Sequence, residues 1–510
     1  MKYSILGLLF FMNSFCQAQL FWRQELPTIL DTPWEIEFGP DRYLWVTEAG
    51  GKVSRVDPNT GDKLDVHVAP DYFAGDSSEA NVFCPNKQIG FGTFGLALHP
   101  EFLVPDSAFI YYVYSYNHGD AQNPDTKFKI VRLKWDENTT SVTQTDDLIT
   151  NLPNGYDHWG GRLISAKMSG NNYLFYSIGD SGISEDADPS CYSNQADNPN
   201  NFTQDPDSLQ GKIHRFNMDG SIPADNPISG NSFYSRGHRN PQGLAFNPTK
   251  ELIYGVEHGD RIDDEVNVLR AGMNYGWKDV RGFANDGSHV GEQQFANTYT
   301  PHPNIAGDQL VDPIYAWCSD PSLNGSSWNE WCTVAPSGAE YIGNSEIPEW
   351  QNSLIVTTLK DGDYTDKSLR VLRLNDNGDE VIYEQTFFAE DQDTNGRLRD
   401  VAVADFGTVF LINNGGADRD KITAYHYIMV CGPWPPLDLE IFPNPSNGVF
   451  NFHSPDTIVS AYVYSLTGDL VDEQHGELYF IDLRHVSNGY YRIKLVDSEG
   501  RIRNEMILRE

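Results

Sequence analysis

Apolar residues along this chain come in short runs of β-branched and aromatic side chains, broken by Gly, Asn, Asp and Pro, and they hold no long helical period. This pattern predicts strands joined by turns. One unit recurs: an apolar strand, a turn carrying Pro, Gly or Asn, a second apolar strand, then a polar loop with Gly. The copies begin near Trp34 (WEIEFGPDRYLWVTEAGG), Gly95 (GLALHPEF, then FIYYVYSY), Leu163 (LISAKMSGNNYLFYSIGDSG), Gly243 (GLAFNPTKELIYGVEHGD), Ala339 (AEYIGNSEIPEWQNSLIVTTLKDG) and Val401 (VAVADFGTVFLINNGG). Six copies of one hairpin predict an all-β fold: a six-bladed β-propeller, each blade a four-stranded sheet around a central channel. A generic β-sandwich is the duller alternative, but it offers no reason to repeat a hairpin.

The register carries a geometric expectation. In a hairpin, the residues just before the first strand and just after the second lie at one end. With these as inner strands, one mouth of the channel receives His158, Arg162, Arg239, Asn240, Arg397 and Arg399 from the starts. Asp180, His258, Gly259, Asp260 and Lys360 arrive from the ends. Reactive groups from several blades thus converge on one face.

Composition changes the picture in two ways. The 510 residues are 39% hydrophobic and 13% aromatic, enough for a large core and a small second domain. Lys plus Arg is 36 and Asp plus Glu is 72, a formal net charge of −36, which excludes nucleic acid and anionic membranes as partners. On so acidic a chain, cations gathered at one spot point to a bound anion. Residues 1–18 read as a signal peptide: Lys2, an apolar run from Ile5 to Met12, and a cleavage-like Cys16-Gln17-Ala18. Asn13 to Phe15 lack the small residue expected before a lipidated cysteine. No later segment is apolar enough to span a bilayer.

Export permits disulfides. Cys318 and Cys332 flank one loop and are the first candidate pair; Cys84 with Cys191 is a weaker one, and Cys431 is the fifth cysteine left after cleavage. No spacing of Cys and His suggests zinc. Residues 19–430 form the propeller domain and 431–438 a Pro-rich linker. Residues 439–510 form a small β-sandwich-like unit with Phe442-Pro-Asn-Pro-Ser-Asn-Gly, Val463-Tyr-Ser-Leu-Thr-Gly and Gly489-Tyr-Tyr-Arg-Ile. These motifs resemble the C-terminal sorting domain of type IX secretion. The resemblance implies an export address read by that machinery and a secreted or cell-surface protein; a small binding module is the alternative.

Six further segments occur in series. They are Asp157-His-Trp-Gly-Gly-Arg-Leu163, Ile178-Gly-Asp-Ser-Gly182, Gly237-His-Arg-Asn-Pro-Gln-Gly-Leu244, Glu257-His-Gly-Asp-Arg-Ile-Asp-Asp-Glu-Val-Asn267, Asn274-Tyr-Gly-Trp277 and Gly396-Arg-Leu-Arg-Asp400. Together, over about Ile29 to Ala424, they resemble the soluble quinoprotein glucose and aldose dehydrogenases, which use pyrroloquinoline quinone (PQQ). The resemblance implies oxidation of an aldose at C1 to the lactone, with an electron acceptor that the sequence does not name. His158 then serves as general base, since an imidazole accepts a proton near neutrality. Asp180 orients it.

Arg239, Asn240, Lys360, Arg397 and Arg399 would hold the cofactor, a flat tricarboxylate that calls for several cations and for Arg forks. Arg397 and Arg399, two apart on an extended segment, point to one side. Calcium is the second implied cofactor. Main-chain carbonyls at Gly259 and Asp260 would bind the ion that contacts the quinone, and Glu265 with the Tyr275 carbonyl a second, structural ion. Three departures stand out. Asp260 replaces a common Pro, Gly90 stands where the glucose enzymes carry Gln, and the Trp-Pro expected after Cys332 is missing, so that Trp328 or Trp331 must supply the aromatic wall. A calcium-dependent propeller lactonase and a non-catalytic glycan- or protein-binding propeller are the rival readings. The sequence leaves a homodimer open.

Overall fold

Each recurring hairpin supplies the first two strands of one four-stranded sheet. The leading strands are Glu35–Phe38, Thr93–Leu98, Leu163–Met168, Pro241–Asn247, Pro336–Ile342 and Leu398–Ala404. The computed structural model describes residues 20–76, 89–155, 157–182, 201–287, 289–320, 331–345, 347–360, 368–389, 397–404, 407–415, 420–428, 439–466, 468–498 and 501–510. The expected signal peptide, Cys84, Cys191, Trp328, Cys431 and the 431–438 linker lie outside them.

Five of the sheets use four strands in chain order, while the last has the order Leu20–Glu25, Ile422–Ile428, Thr408–Asn413, Leu398–Ala404. Its closure continues where Leu26 N–H donates to Ile422 O (3.0 Å) and Leu30 N–H to Asp420 O (2.9 Å).

Contacts between successive sheets run around a ring. Leu98 N–H donates to Glu37 Oε2 (3.1 Å), Ser165 Oγ to Leu98 O (2.6 Å), and Ser177 Oγ to Pro241 O (2.9 Å). The fourth and fifth leading strands pack side by side. Ser337 Oγ then donates to Arg399 O (2.7 Å), and Ile36 N–H to Asp400 Oδ2 (2.9 Å), returning to the first sheet. A ring of radially packed sheets is a β-propeller, and its channel is lined by the leading strands.

This packing explains why inner strands read as unbroken apolar runs. On Phe109–Asn117, Ile110, Tyr112 and Tyr114 join the core against the first sheet, while Tyr111 and Val113 join the core against the third. Successive side chains point to opposite faces and both faces are covered. Outermost strands such as Lys63–Val68 and Val381–Phe387 have no buried residue and mix polar with apolar side chains.

The described residues form two compact units, 25–403 with 409–424, and 425–510 with 404–408 and the first strand up to Gln24. In the C-terminal unit, strands Glu440–Phe442, Val449–His453 and Phe480–Asp482 form one sheet. A four-stranded sheet runs Leu470–Leu478, Ile458–Tyr464, Gly489–Asp497, Ile502–Arg509. Both share a core of Phe450, Ile458, Val463, Ile481, Ile493, Leu495 and Ile507, as a sandwich requires.

Candidate active site

A cavity of about 920 Å³ opens among the ends of these strands. It gathers His158, Arg239, Asn240, Gly259, Asp260, Lys360, Arg397 and Arg399, all expected at one mouth. They come from four different sheets. The hairpin register places them there, because each sits at the start of a leading strand or the end of the strand after it.

His158 is buried in the wall and its backbone is left-handed, φ 52°, a conformation costly for a side-chain-bearing residue and concentrated at functional sites. Its own N–H donates to Asp157 Oδ1 (2.8 Å), and Gly160 and Gly161, after Trp159, also have positive φ (64° and 86°) that only glycine adopts cheaply. His158 Nδ1 lies 2.9 Å from Asp180 Oδ1. An ionised carboxylate only accepts, so Nδ1 carries the proton and Nε2 is the basic nitrogen. Asp180 is itself held on three sides: Gly182 N–H donates to Oδ1 (2.9 Å), Trp277 Nε1–H to Oδ2 (2.9 Å), and Asp180 N–H to Arg239 O (2.8 Å).

A second histidine, His258, also lines the cavity. Its Nε2 donates to Pro336 O (2.9 Å), which leaves Nδ1 to accept from Asn240 Nδ2 (3.4 Å). Burial, then Arg239, His158 and Arg399, hold its pKa well below the usual imidazole range, so it stays neutral. Both of its nitrogens are engaged.

The cations differ in setting. Arg399 is buried, with Nη2 donating to Gln242 Oε1 (2.8 Å) and the guanidinium 4.3 Å over the Trp34 ring. Its Nε is buried without a hydrogen-bond partner. Burial, with Arg162 and Arg397 nearby, pushes its pKa well down. Of the acids in the wall, Asp264 is committed to the N–H groups of Gly259, Val334 and Ala335 (2.9, 2.7 and 2.7 Å), and Asp260 pairs with Arg281 at 3.3 Å and with Arg239 at 4.0 Å. This donor set fits a multiply charged planar anion.

Arg162 departs from expectation. It does not line the cavity but is buried, paired with Glu35 and with Asp400 (2.8 Å), with its guanidinium 4.3 Å from the Trp34 ring. It immediately precedes the leading strand of the third sheet, and buried carboxylates on the leading strands of the first and sixth sheets claim it.

Glu265 and Tyr275 also lie away from the cavity wall. Glu265 accepts from Gly282 N–H (2.7 Å) and Asn267 Nδ2 (2.9 Å), and burial, with Glu257 and Asp263 close by, pushes its pKa well above the usual range. Tyr275 stacks on His238 with ring centroids 4.8 Å apart. Among the described residues no three His, Cys, Asp or Glu side chains gather to hold a metal.

Other wall residues were not singled out from sequence: Trp34, Phe94, Trp159 and Gln242 among them. Gln242 clamps Arg399 and donates to Asn240 Oδ1 (2.9 Å). Its place two residues after Asn240 on a strand was the available signal. Gly90 has a physical reason: a Cβ there would lie 1.9 Å from Cζ2 of Trp159, so the indole occupies the space a longer side chain would need. Cys318 and Cys332 are bonded, with Cα atoms 5.3 Å apart. Next to Cys332, Trp331 lines the cavity with Arg261 over its ring (5.6 Å).

Comparison with known proteins agrees with this architecture. Residues 30–422 match the family model described as glucose/sorbosone dehydrogenase, and residues 440–509 that of a secretion system C-terminal sorting domain. Over 391 residues the chain is 30% identical to quinoprotein glucose dehydrogenase B of Acinetobacter calcoaceticus, covering 68% of this chain and 77% of that protein. It is 27% identical over 394 residues to an aldose sugar dehydrogenase of Escherichia coli, covering 76% and 88%. Among solved structures, the PQQ-bound aldose sugar dehydrogenase of Streptomyces coelicolor superposes with a TM-score of 0.53 at 23% identity, covering 80% of this chain and 98% of that one. The apo form of the soluble aldose sugar dehydrogenase from Escherichia coli gives 0.56 at 25% identity, covering 80% and 99%.

Proposed function

This chain belongs to the glucose/sorbosone dehydrogenase family, and from that premise we propose that it oxidises an aldose at C1 to the lactone, with His158 as general base and PQQ and calcium as cofactors. One observation carries the reading. His158, its Nδ1 held by Asp180, lines a cavity whose wall also holds Arg239, Lys360, Arg397 and Arg399, in a protein of net charge −36.

Arg239, Asn240, Lys360, Arg397 and Arg399 would hold the quinone, and the main-chain oxygens of Gly259 and Asp260 a calcium ion beside it. When bound, PQQ supplies a two-electron acceptor for the hydride leaving C1, and calcium polarises it as a Lewis acid. His158 does the rest. Its Nε2 takes the proton of the C1 hydroxyl as the C1–H bond breaks, so the C–O bond can become the lactone carbonyl. Asp180 stabilises the imidazolium that results and keeps the ring from turning. Neutral His258 adds no charge that would oppose it. A second calcium at Glu265 and the Tyr275 carbonyl would offset the buried negative charge there. The C-terminal unit would address the chain to type IX secretion, after a signal peptide at residues 1–18.

The test is reconstitution. Adding PQQ and calcium to the apo-protein should produce saturable quinone absorbance changes and dye-linked aldose oxidation, weaker when calcium is withheld. His158→Ala should lower the turnover by about 10²–10⁴-fold with the quinone still bound. Near-full activity in that variant would remove the base assignment, and failure to bind quinone would remove the function.

A further inference from the structure

The hydrogen bond from Trp277 to Asp180 reaches beyond the residues assigned so far. Trp277 is buried in the segment following the third strand of the fourth sheet, and its backbone is fastened on both sides. Its N–H donates to Gly237 O (3.0 Å), and its carbonyl accepts from Thr203 Oγ1 (2.9 Å) and Gln204 Nε2 (2.6 Å). Arg239 and Arg281 each place a guanidinium 5.5 Å from its ring. An indole held this rigidly has one polar atom, and that atom donates to Asp180 Oδ2 at 2.9 Å.

We propose that Trp277 is a positioning residue: its indole N–H fixes the Asp180 carboxylate so that Oδ1 keeps the proton of His158 on Nδ1 and Nε2 stays basic toward the cavity. The physical reason is a count of donors. A carboxylate oxygen buried without a donor is costly, so with Oδ2 unpaired the group would rotate to share its donors between both oxygens. His158 would then lose its fixed tautomer and ring angle. Partners that orient a catalytic group from behind commonly matter about 10- to 100-fold. This inference rests on His158 being the base, and its test separates the two.

Trp277→Phe in the full-length chain keeps the ring between the two arginines and deletes only the N–H. In apo-protein labelled with ¹⁵N-histidine, the His158 signal, identified by its loss in His158→Gln, should show a single Nδ1–H tautomer in the parent. Trp277→Phe should show a mixture. With PQQ and calcium added, kcat should fall about 10- to 100-fold while KM for the aldose stays within about threefold. A merely structural tryptophan would lower stability without touching the tautomer.

Should Trp277→Phe not fold, Asp180→Asn reads the same bond from the other side, because one indole N–H resonance must move upfield. No moving indole signal, or an unchanged His158 tautomer in a folded Trp277→Phe, overturns the proposal. An altered tautomer in a chain that oxidises no aldose would uphold the positioning role and sink the function instead.

Discussion

Two buried arginines lie over the Trp34 ring, and on the proposed function they have opposite duties, so replacing each with Met should give opposite results. Arg162 is the partner of Glu35 and Asp400. Removing it leaves two buried carboxylates beside each other without their cation, a loss of about 3–5 kcal/mol. Arg399 has a single protein acceptor, Gln242, and is pressed by burial and by Arg162 and Arg397 toward losing its charge. Its removal relieves that repulsion and leaves the apo-protein within about 1 kcal/mol of the parent. Yet it should take away a buried, charge-assisted contact to the quinone worth about 1.5–3 kcal/mol, which is about 10- to 150-fold in affinity. Urea unfolding of the apo-proteins reads the first quantity, and absorbance titration with PQQ reads the second. The reasoning fails if Arg399→Met binds quinone within twofold of the parent, or is destabilised as much as Arg162→Met. In either case the cation set would be part of the scaffold rather than an anion seat.

Two further outcomes follow from particular residues. Gly90→Ala forces a Cβ into the Trp159 ring, and the overpacking should cost about 1–3 kcal/mol and shift the tryptophan fluorescence; unchanged stability and spectrum would mean that the indole does not pack there. Burial pushes the Glu37 carboxyl from 4.5 up to about 8, although Leu98 N–H opposes the shift. Because the folded value is the higher one, this group's contribution is complete below pH 4.5 and is lost as pH rises toward about 8. Glu37→Gln should therefore gain stability relative to the parent between pH 5 and pH 8 in urea unfolding. A constant difference across that range contradicts the assignment.

Much of this molecule was legible from local pattern. The strand-turn-strand unit, its repetition and the alternation of buried faces are properties of residues near one another in sequence, and they fix which residues lie at strand ends. The ends of one hairpin share a mouth whatever the sheet packs against, which is why His158, Arg239, Asn240, Lys360, Arg397 and Arg399 could be placed together before any fold was seen. The Cys318–Cys332 pair was likewise local, closing a single loop.

What tertiary structure decided was how equivalent positions divide their work. Arg162 and Arg399 both lie near the start of a leading strand, and only the folded ring reveals that Glu35 and Asp400 pair with the first while Gln242 accepts from the second. His158 and His258 are both histidines at strand ends, and only the partners of each ring nitrogen separate an imidazole held by a carboxylate from one held by a main-chain carbonyl and an amide. The fit of Trp159 over Gly90 and the reach of Trp277 to Asp180 join residues 69 and 97 positions apart. Electrostatic and hydrogen-bond roles depend on what stands within a few ångströms, and along a chain folded into radial sheets those neighbours come from distant segments that no local pattern relates.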